Sequence, residues 1–271
     1  MNISVDLVKQ LRDMTLASLK DCKDCLVEAN GDIEQAKELL KKKGLASAMK
    51  KGDRETNEGK VSYLVQDGKI AVLKLGCETD FVANNDLFND LIQRVLTSAI
   101  GTECVSFDVL DEVKKEELTT MVAEVVGKLG ENMKIIELFV KKLPSSDVYV
   151  YTHAGSKLIA VVYYNAIVAD ATESVKKAAL QIAAMDPTYL SVDTIPTQEI
   201  ETMKTEFESE VKASGKPEAV IPNIVAGKLQ KRYSETVLLE QGYVGDEAMK
   251  IKDIIANNAT IVAFERVGFS S

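Results

Sequence analysis

The sequence predicts an α+β protein in which a small helical unit precedes a core made of two related halves, each an antiparallel sheet packed with helices. Three observations support this prediction. Short helical patterns with capping residues fill residues 1–50. A β-hairpin followed by a helix occurs twice in the rest of the chain, and a charged helical pattern at about 197–235 interrupts the second occurrence. A chain of 271 residues has room for two or three such domains.

Residues 1–50 are predicted to form three short helices. Ser4 is the expected N-cap of the first, because its hydroxyl can accept a hydrogen bond from a free backbone N–H. The second covers about Leu16–Ala29, where apolar residues recur every three or four positions. A third helix, Ile33–Lys43, is expected to end at Gly44.

Residues 51–60 are polar and contain glycine, which predicts a linker, and residues 61–143 predict the first half of the core. Asp67-Gly68 lies between two apolar runs and is typical of a two-residue hairpin turn. In chain order, the predicted elements are strands Val61–Val65 and Ile70–Leu75, helices Leu87–Ala99 and Asp108–Lys128, and strand Ile135–Lys141.

Residues 144–271 repeat this order. Strands Val148–Thr152 and Leu158–Tyr164 flank a short turn, and a helix follows at about Ser174–Ala184. An offset of about 88 residues aligns strand with strand and helix with helix in one ungapped register, which indicates a duplicated α/β module. The aligned segments are Gly68–Lys74 with Ser156–Val162, and Leu91–Gln93 with Ala179–Gln181.

An antiparallel helical hairpin is predicted inside the second half, at about 197–235. Thr197 is expected to cap its first arm, and Ser214-Gly215 followed by Lys216-Pro217 forms the turn. A last helix near Asp246–Asn257 and a strand, Thr260–Val267, complete the prediction.

Composition excludes several classes of function. The net charge of −9 argues against a general nucleic-acid binder, and one histidine cannot build a multi-histidine metal site. Phosphate-binding glycine loops of the common types are absent, and no apolar run is long enough for a membrane span. The N-terminal residues resemble neither a signal peptide nor an arginine-rich transit segment, which predicts a cytoplasmic protein.

The pair Cys22 and Cys25 is the first candidate for chemistry. A redox pair of this spacing belongs at the start of a helix after a strand, but here it lies inside a helical unit. A zinc site would need two more ligands from Cys77, Cys104 or His153, at no recognised spacing. Structural cysteines are therefore favoured, and His153 is most simply a histidine in a hairpin loop.

The loop at residues 77–86 is the second candidate. It follows a strand, precedes a helix and combines carboxylates with one aromatic residue, Phe81. The pattern alone favours Phe81 in the core, with Asp80 or Asn84 capping the helix. The alternative is a protruding aromatic anchor, flanked by a carboxylate, for a partner protein.

Residues 79–85, TDFVANN, resemble the TDFVA-(R/K)-N signature of the translation elongation factor Ts family, the nucleotide exchange factors of elongation factor Tu. The resemblance covers nearly the whole chain. Other matching segments include residues 8–44 of the helical unit, LGENMKI at 129–135, YTHAGSKLIAVV at 151–162, LQIAAMDPTYL at 180–190, IVAGKLQKRY at 224–233 and LLEQGYV at 238–244. The chain departs from the family at Thr15–Ser18, where relatives have TGAG, and at Gly242 and Tyr243, where they have Pro-Phe.

The resemblance implies a three-helix domain similar to ubiquitin-associated domains, followed by the duplicated core with its helical hairpin. It implies binding to elongation factor Tu, both GDP-bound and nucleotide-free, and faster release of GDP, with no bond made or broken and no cofactor. Direct contact with nucleic acid or membrane is not expected. A bacterial cytoplasm is the expected location, with an organelle matrix after processing as an alternative, and the complex is either one Tu–Ts pair or a dimer of such pairs.

The resemblance also assigns residues. Asp80 and Phe81 form a wedge that is pushed between helices of the G domain of Tu near its magnesium and nucleotide site; Thr79 and Val82 flank it. The other implied partner contacts are Lys23, Leu129, Gly130, His153 and Val244. Gly130 is equally well explained as a helix C-cap. A scaffold or adaptor for another partner is the alternative function, and redox chemistry at Cys22 and Cys25 is a third hypothesis.

Overall fold

The computed structural model describes residues 3–103, 106–143 and 147–269. Cys104 lies outside the described residues. The chain divides into two compact units: unit 1 is Met1–Lys142 with Gly155–Lys157 and Gly268–Ser271, and unit 2 is Leu143–Ala154 with Leu158–Val267. The mixed helices and small sheets confirm the predicted α+β class. Among the described helices, none combines the length and the apolar character that crossing a membrane requires.

Unit 1 begins with three helices, α1 Val5–Thr15, α2 Leu19–Glu28 and α3 Ile33–Lys51. Their N-caps are Ser4, Ser18 and Asp32, and each side chain accepts a backbone N–H of the first turn. The helices enclose a small core of their own, formed by Val8, Leu11, Cys22, Cys25, Leu26, Ala29 and Ala36.

Helix α3 does not end at Gly44, as the sequence predicted, but continues to Lys51. Gly44 lies against α6 (Glu112–Leu129), where its Cα is 2.9 Å from the position a Cβ on Gly127 would occupy. This close packing of two helix backbones offsets the low helix propensity of glycine. The tertiary contact therefore overrides the local stop signal.

The first sheet contains β1 Glu58–Gln66, β2 Lys69–Cys77 and β3 Met133–Lys142 in that order, all antiparallel. Strand β1 begins inside the stretch predicted as linker. Asp67 and Gly68 both have positive φ, as the predicted hairpin turn requires. A short helix α4, Asp80–Ala83, precedes α5, Asp86–Ile100, and α5 and α6 supply the apolar side chains that pack on β2.

Unit 2 contains β4 Asp147–Thr152, β5 Leu158–Ala166 and β8 Ala259–Gly268, with β5 in the middle, and α7 Thr172–Met185 packs on this sheet. In both sheets the second strand of the hairpin is central. The repeated hairpin and helix therefore occur in the order that the duplication predicted.

The helical hairpin of unit 2 is α8 Thr197–Ala213 and α9 Ile221–Thr236. Its buried contacts are Val211, Ile221, Val225 and Leu229, packed against Met203 and Phe207. Thr197 is the first helical residue rather than the cap, a position that Pro196 takes.

The predicted helix at 246–257 is wrong in its first half. Asp246–Lys250 is β7, paired with β6, Gly242–Tyr243, and only Ile251–Ile255 is helical, as α10. Ile251, Ile254 and Ile255 are buried, whereas β7 is largely exposed and pairs through its backbone. Backbone pairing here outweighs a helical sequence pattern.

Phe269 is seated within unit 1 at Gly59. Its backbone N–H donates to Lys157 O (2.9 Å), and the Nζ atoms of Lys74 and Lys157 lie 4.8 and 5.3 Å from its ring centroid. Lys74 Nζ also donates to Gly268 O at 2.6 Å. Gly59 has a φ of +142°, and a Cβ there would be 2.6 Å from the Phe269 ring, so only glycine leaves room for the seat.

Candidate partner-binding site

The wedge segment, residues 79–82, lies where β2 ends and α4 begins. Thr79 is the N-cap of α4, and its Oγ1 accepts the Val82 N–H at 3.3 Å. Asn85 caps α5 in the same way. The caps are therefore Thr79 and Asn85, not the predicted Asp80 or Asn84.

Phe81 projects into solvent from α4, with 84% of its surface exposed. Val82 and Ala83, the next two residues, are buried in the core beneath it. The interpretation from the pattern alone, in which Phe81 packs into the core, is wrong. Asp80 is also exposed, so α4 presents both a carboxylate and an aromatic ring to solvent while its next two residues are fixed in the core.

Glu131, in the turn between α6 and β3, binds Thr79 with both carboxylate oxygens. Oε1 accepts the Thr79 Oγ1–H at 2.7 Å, and Oε2 accepts the Thr79 N–H at 3.0 Å. Hydrogen bonds to an ionised carboxylate are stronger than those between neutral groups. The start of the wedge segment is therefore tied to a turn that is distant in sequence.

A second carboxylate, that of Glu78 next to the wedge segment, binds back to the turn between α6 and β3. Glu78 Oε1 accepts the backbone N–H of Asn132 at 2.6 Å, and the Asn132 side chain donates to Arg54 O at 2.7 Å. The Asn132 N–H, followed by the Arg54 guanidinium at 3.2 Å, lowers the pKa of Glu78 below its ordinary value. We call Glu78, Thr79, Glu131 and Asn132 the carboxylate clamp.

Leu129 and Gly130 form the other side of this turn. Gly130 is the left-handed C-cap of α6, with φ +80° and its N–H donating to Val126 O at 2.9 Å. No other atom lies within 4 Å of where its Cβ would be, so this face is open. Leu129 is half-buried against the core. The structure thus brings the wedge segment and the Leu129–Gly130 turn together through the clamp.

The three cysteines that the structure describes are buried and have raised thiol pKa values, which disfavours redox and metal chemistry at these positions. Cys22, Cys25 and Cys77 are free and buried, and burial raises the pKa of each thiol, that of Cys77 to about 11. Within the described residues there is no group of three side chains able to hold a metal ion. Cys77 instead donates its S–H to Thr79 O at 3.2 Å, beneath the wedge segment.

Lys23 is exposed on α2 in unit 1. His153 is exposed in the β4–β5 turn of unit 2, with its Nδ1 3.1 Å from Tyr151 Oη and its backbone N–H donating to Leu158 O. These two residues belong to separate elements from the wedge segment, so each forms a separate candidate contact.

Val244 lies in the β6–β7 turn and is 46% exposed. Its backbone N–H donates to Gln181 Oε1 at 2.9 Å, and the Gln181 amide nitrogen donates to Gln241 Oε1 and Gly242 O, both at 3.0 Å. Gln181 is fully buried on α7. One buried amide therefore holds the loop that presents Val244.

The wedge segment, the Leu129–Gly130 turn, His153 and Val244 all lie within the region that a protein-family model matches. The family model described as "Elongation factor TS" matches residues 78–270. The chain belongs to the elongation factor Ts family. Elongation factor Ts of Hydrogenobaculum sp. (strain Y04AAS1) is 40% identical, with 98% of each chain covered. The protein of that name from Aquifex aeolicus (strain VF5) is 36% identical, with 98% of this chain and 96% of the relative covered.

Sequence reasoning missed Glu78, Glu131, Asn132 and Gln181. Three of them lie inside segments that resemble the elongation factor Ts family, Glu131 and Asn132 in LGENMKI and Gln181 in LQIAAMDPTYL. The resemblance marked those segments without indicating what each side chain does. Buried hydrogen bonds between residues distant in sequence give these side chains their roles.

Proposed function

We propose that this chain is a guanine nucleotide exchange factor that binds elongation factor Tu in its GDP-bound form and accelerates GDP release. Membership of the elongation factor Ts family supports this proposal. The observation that carries it is the exposure of Phe81 on a base fixed by the buried Val82 and Ala83. Aromatic side chains, Phe included, are enriched at protein–protein interfaces, and large buried anchors carry much of the binding energy.

Asp80 and Phe81 are the proposed wedge. Phe81 enters an apolar gap between helices of the G domain of Tu, and Asp80 accompanies it toward the magnesium site. Contacts from the phosphate-binding loop and Mg²⁺ supply much of the affinity for a nucleotide in such G domains. Displacing them weakens GDP binding without any covalent step, so the chain needs no cofactor and no catalytic side chain.

The action is a negative coupling between two ligands of Tu. If this chain weakens GDP binding by some factor, GDP weakens binding of this chain by the same factor. Either ligand can then drive the other off, which lets small amounts of the factor act repeatedly. GTP loading follows from the relative concentrations of the two nucleotides.

The remaining partner contacts are proposed at separate exposed positions. Lys23 and the Leu129–Gly130 turn approach the G domain, whereas His153 and Val244 meet other parts of Tu. Because the net charge is −9, these contacts are expected to be with protein rather than with nucleic acid.

The deciding experiment is release of a fluorescent GDP analogue from purified Tu in the presence of excess unlabelled GDP. This chain, at concentrations below that of Tu, should raise the release rate in proportion to its amount. An unchanged rate across the whole concentration range would contradict the proposal. Light scattering on the nucleotide-free complex would distinguish one Tu–Ts pair from a dimer of pairs.

A further inference from the structure

Helix α4 is too short to hold its own shape. It has four residues, whereas isolated helices are marginal below about 12–15 residues even in favourable sequences. The orientation of Phe81 therefore depends on contacts outside α4. Those contacts are the burial of Val82 and Ala83 on one side and the hydrogen bonds of Thr79 on the other.

We propose that Glu131 is a positioning residue that holds Phe81 in its exposed orientation by acting through Thr79. The expected effect of Glu131 on the interaction with Tu rests on the proposed exchange function. Its mechanism, however, stands on the contacts within unit 1 and can be measured without Tu.

The geometry gives each hydrogen-bond donor of Thr79 an acceptor oxygen on Glu131. The hydroxyl gives its only hydrogen to Glu131 Oε1 at 2.7 Å, so its lone pairs are free to accept the Val82 N–H at 3.3 Å. The chain of hydrogen bonds from Val82 through Thr79 to the carboxylate is mutually reinforcing. Glu131 Oε2 also accepts the Thr79 N–H at 3.0 Å, which fixes the backbone where α4 begins.

Glu131 is itself held in place. The next residue, Asn132, is bound through its backbone N–H to Glu78 and through its side chain to Arg54 O. Asn132 is 2% exposed, so this anchor is shielded from competing water. Each end of the clamp therefore restrains the other, and the wedge segment cannot shift without breaking bonds at both ends.

Loss of Glu131 should lower the fraction of molecules in which Phe81 is presented. The apparent dissociation constant for Tu then rises by the inverse of that fraction, while the complex, once formed, is unchanged. For Glu131→Ala, we expect the concentration giving half-maximal GDP release to rise about tenfold, with the maximal rate within about twofold of wild type. A variant that only lowered global stability would give an unchanged half-maximal concentration when it is assayed at a temperature where it is still folded.

Conservative variants separate the two halves of the contact. Glu131→Gln keeps one oxygen for the Thr79 N–H but cannot accept the hydroxyl hydrogen, so an intermediate shift is expected. Thr79→Val keeps the shape and the backbone bond to Glu131 but removes the hydroxyl and its cap on Val82, so it should also raise the concentration that gives half-maximal release. Thr79→Ser keeps the hydroxyl and should remain near wild type.

The matched control is Glu117→Ala. Glu117 accepts a hydroxyl hydrogen bond from Ser98 at 2.6 Å and lies on α6, but it does not belong to the clamp. This variant should leave both kinetic parameters unchanged. The double variant Thr79→Val with Glu131→Ala should lose less than the sum of the two single losses, because both single variants remove the same hydrogen bond between the hydroxyl and the carboxylate. Fully additive losses would show that Glu131 acts independently of the Thr79 hydroxyl and would overturn the positioning role.

Amide hydrogen exchange in the free protein tests the mechanism independently of Tu. Glu131→Ala should accelerate exchange of the amides at residues 79–83, while exchange in β2 and α5 stays unchanged. Unaltered exchange at 79–83 would overturn the proposal, even if GDP release were impaired. If the unmodified chain fails to stimulate GDP release, the exchange function fails, and amide exchange still decides whether Glu131 holds the segment.

Discussion

Replacing Phe81 with alanine removes the largest exposed apolar group of the wedge segment. Phe81 is 84% exposed, and an aromatic side chain buries about 150–250 Å² when covered, so about 130–210 Å² is available to a partner. At about 25 cal/mol per Å², and with the alanine methyl retained, the loss is about 2–4 kcal/mol. That corresponds to a roughly 30- to 1,000-fold loss in efficiency of GDP release from Tu.

The assay is stimulated release of fluorescent GDP, measured over a range of concentrations of the Phe81→Ala protein. Because the removed ring is exposed, the free energy of unfolding should change by less than about 0.5 kcal/mol. Val113→Ala is the control, since Val113 is 78% exposed and lies on α6, about 24 Å along the helix from Leu129. A Phe81→Ala protein with wild-type efficiency would refute the wedge role, as would an equal loss in the control.

Gly127→Ala should destabilise the fold by about 1–3 kcal/mol, because the new Cβ would lie 2.9 Å from Gly44 Cα; urea unfolding with an unchanged midpoint would contradict the close packing. Cys77, with a pKa of about 11, should resist iodoacetamide at pH 8 in the native protein and react in urea, as peptide mass spectrometry can show. Glu78→Gln should lower the free energy of unfolding at pH 7. The folded-state pKa of Glu78 is depressed, so the carboxylate stabilises above its unfolded pKa of about 4.3 and this contribution is lost as pH falls through the folded value. The difference in free energy of unfolding between Glu78→Gln and wild type should therefore narrow as the pH falls below the unfolded pKa and through the folded one, and a constant difference would contradict the assigned role.

Local signals predicted much of the fold correctly. Ser4 caps its helix, Asp67-Gly68 forms its turn, and Gly130 ends α6, because each depends on backbone geometry within a few residues. The repeated hairpin and helix were also visible, since an offset in sequence preserves the order of apolar positions. The caps and the turn could be predicted because neighbouring residues alone determine them.

Features decided by distant contacts could not be predicted in this way. Gly44 continues a helix because Gly127 packs against it, and no pattern within α3 shows that partner. Glu131 and Thr79 are 52 residues apart, so their hydrogen bonds follow from the fold rather than from any motif. An apolar side chain such as Phe81 is ordinarily expected in the core, so the loop pattern offered the outward-facing ring only as the alternative, and the family resemblance made it the favoured interpretation.

The seat of Phe269 has a consequence for synthesis of the chain. Unit 1 is nearly complete in sequence at Lys142, yet the ring that fills the space over Gly59 belongs to a residue made more than a hundred positions later. At about 5–20 residues per second, a ribosome needs roughly 6–25 s to cover that distance. During that interval Lys74 has no aromatic ring beneath its ammonium group, and the ring of Phe269 does not yet cover Gly59. The first unit to emerge is therefore the last to be finished, and its final packing step must wait until unit 2 has been synthesised.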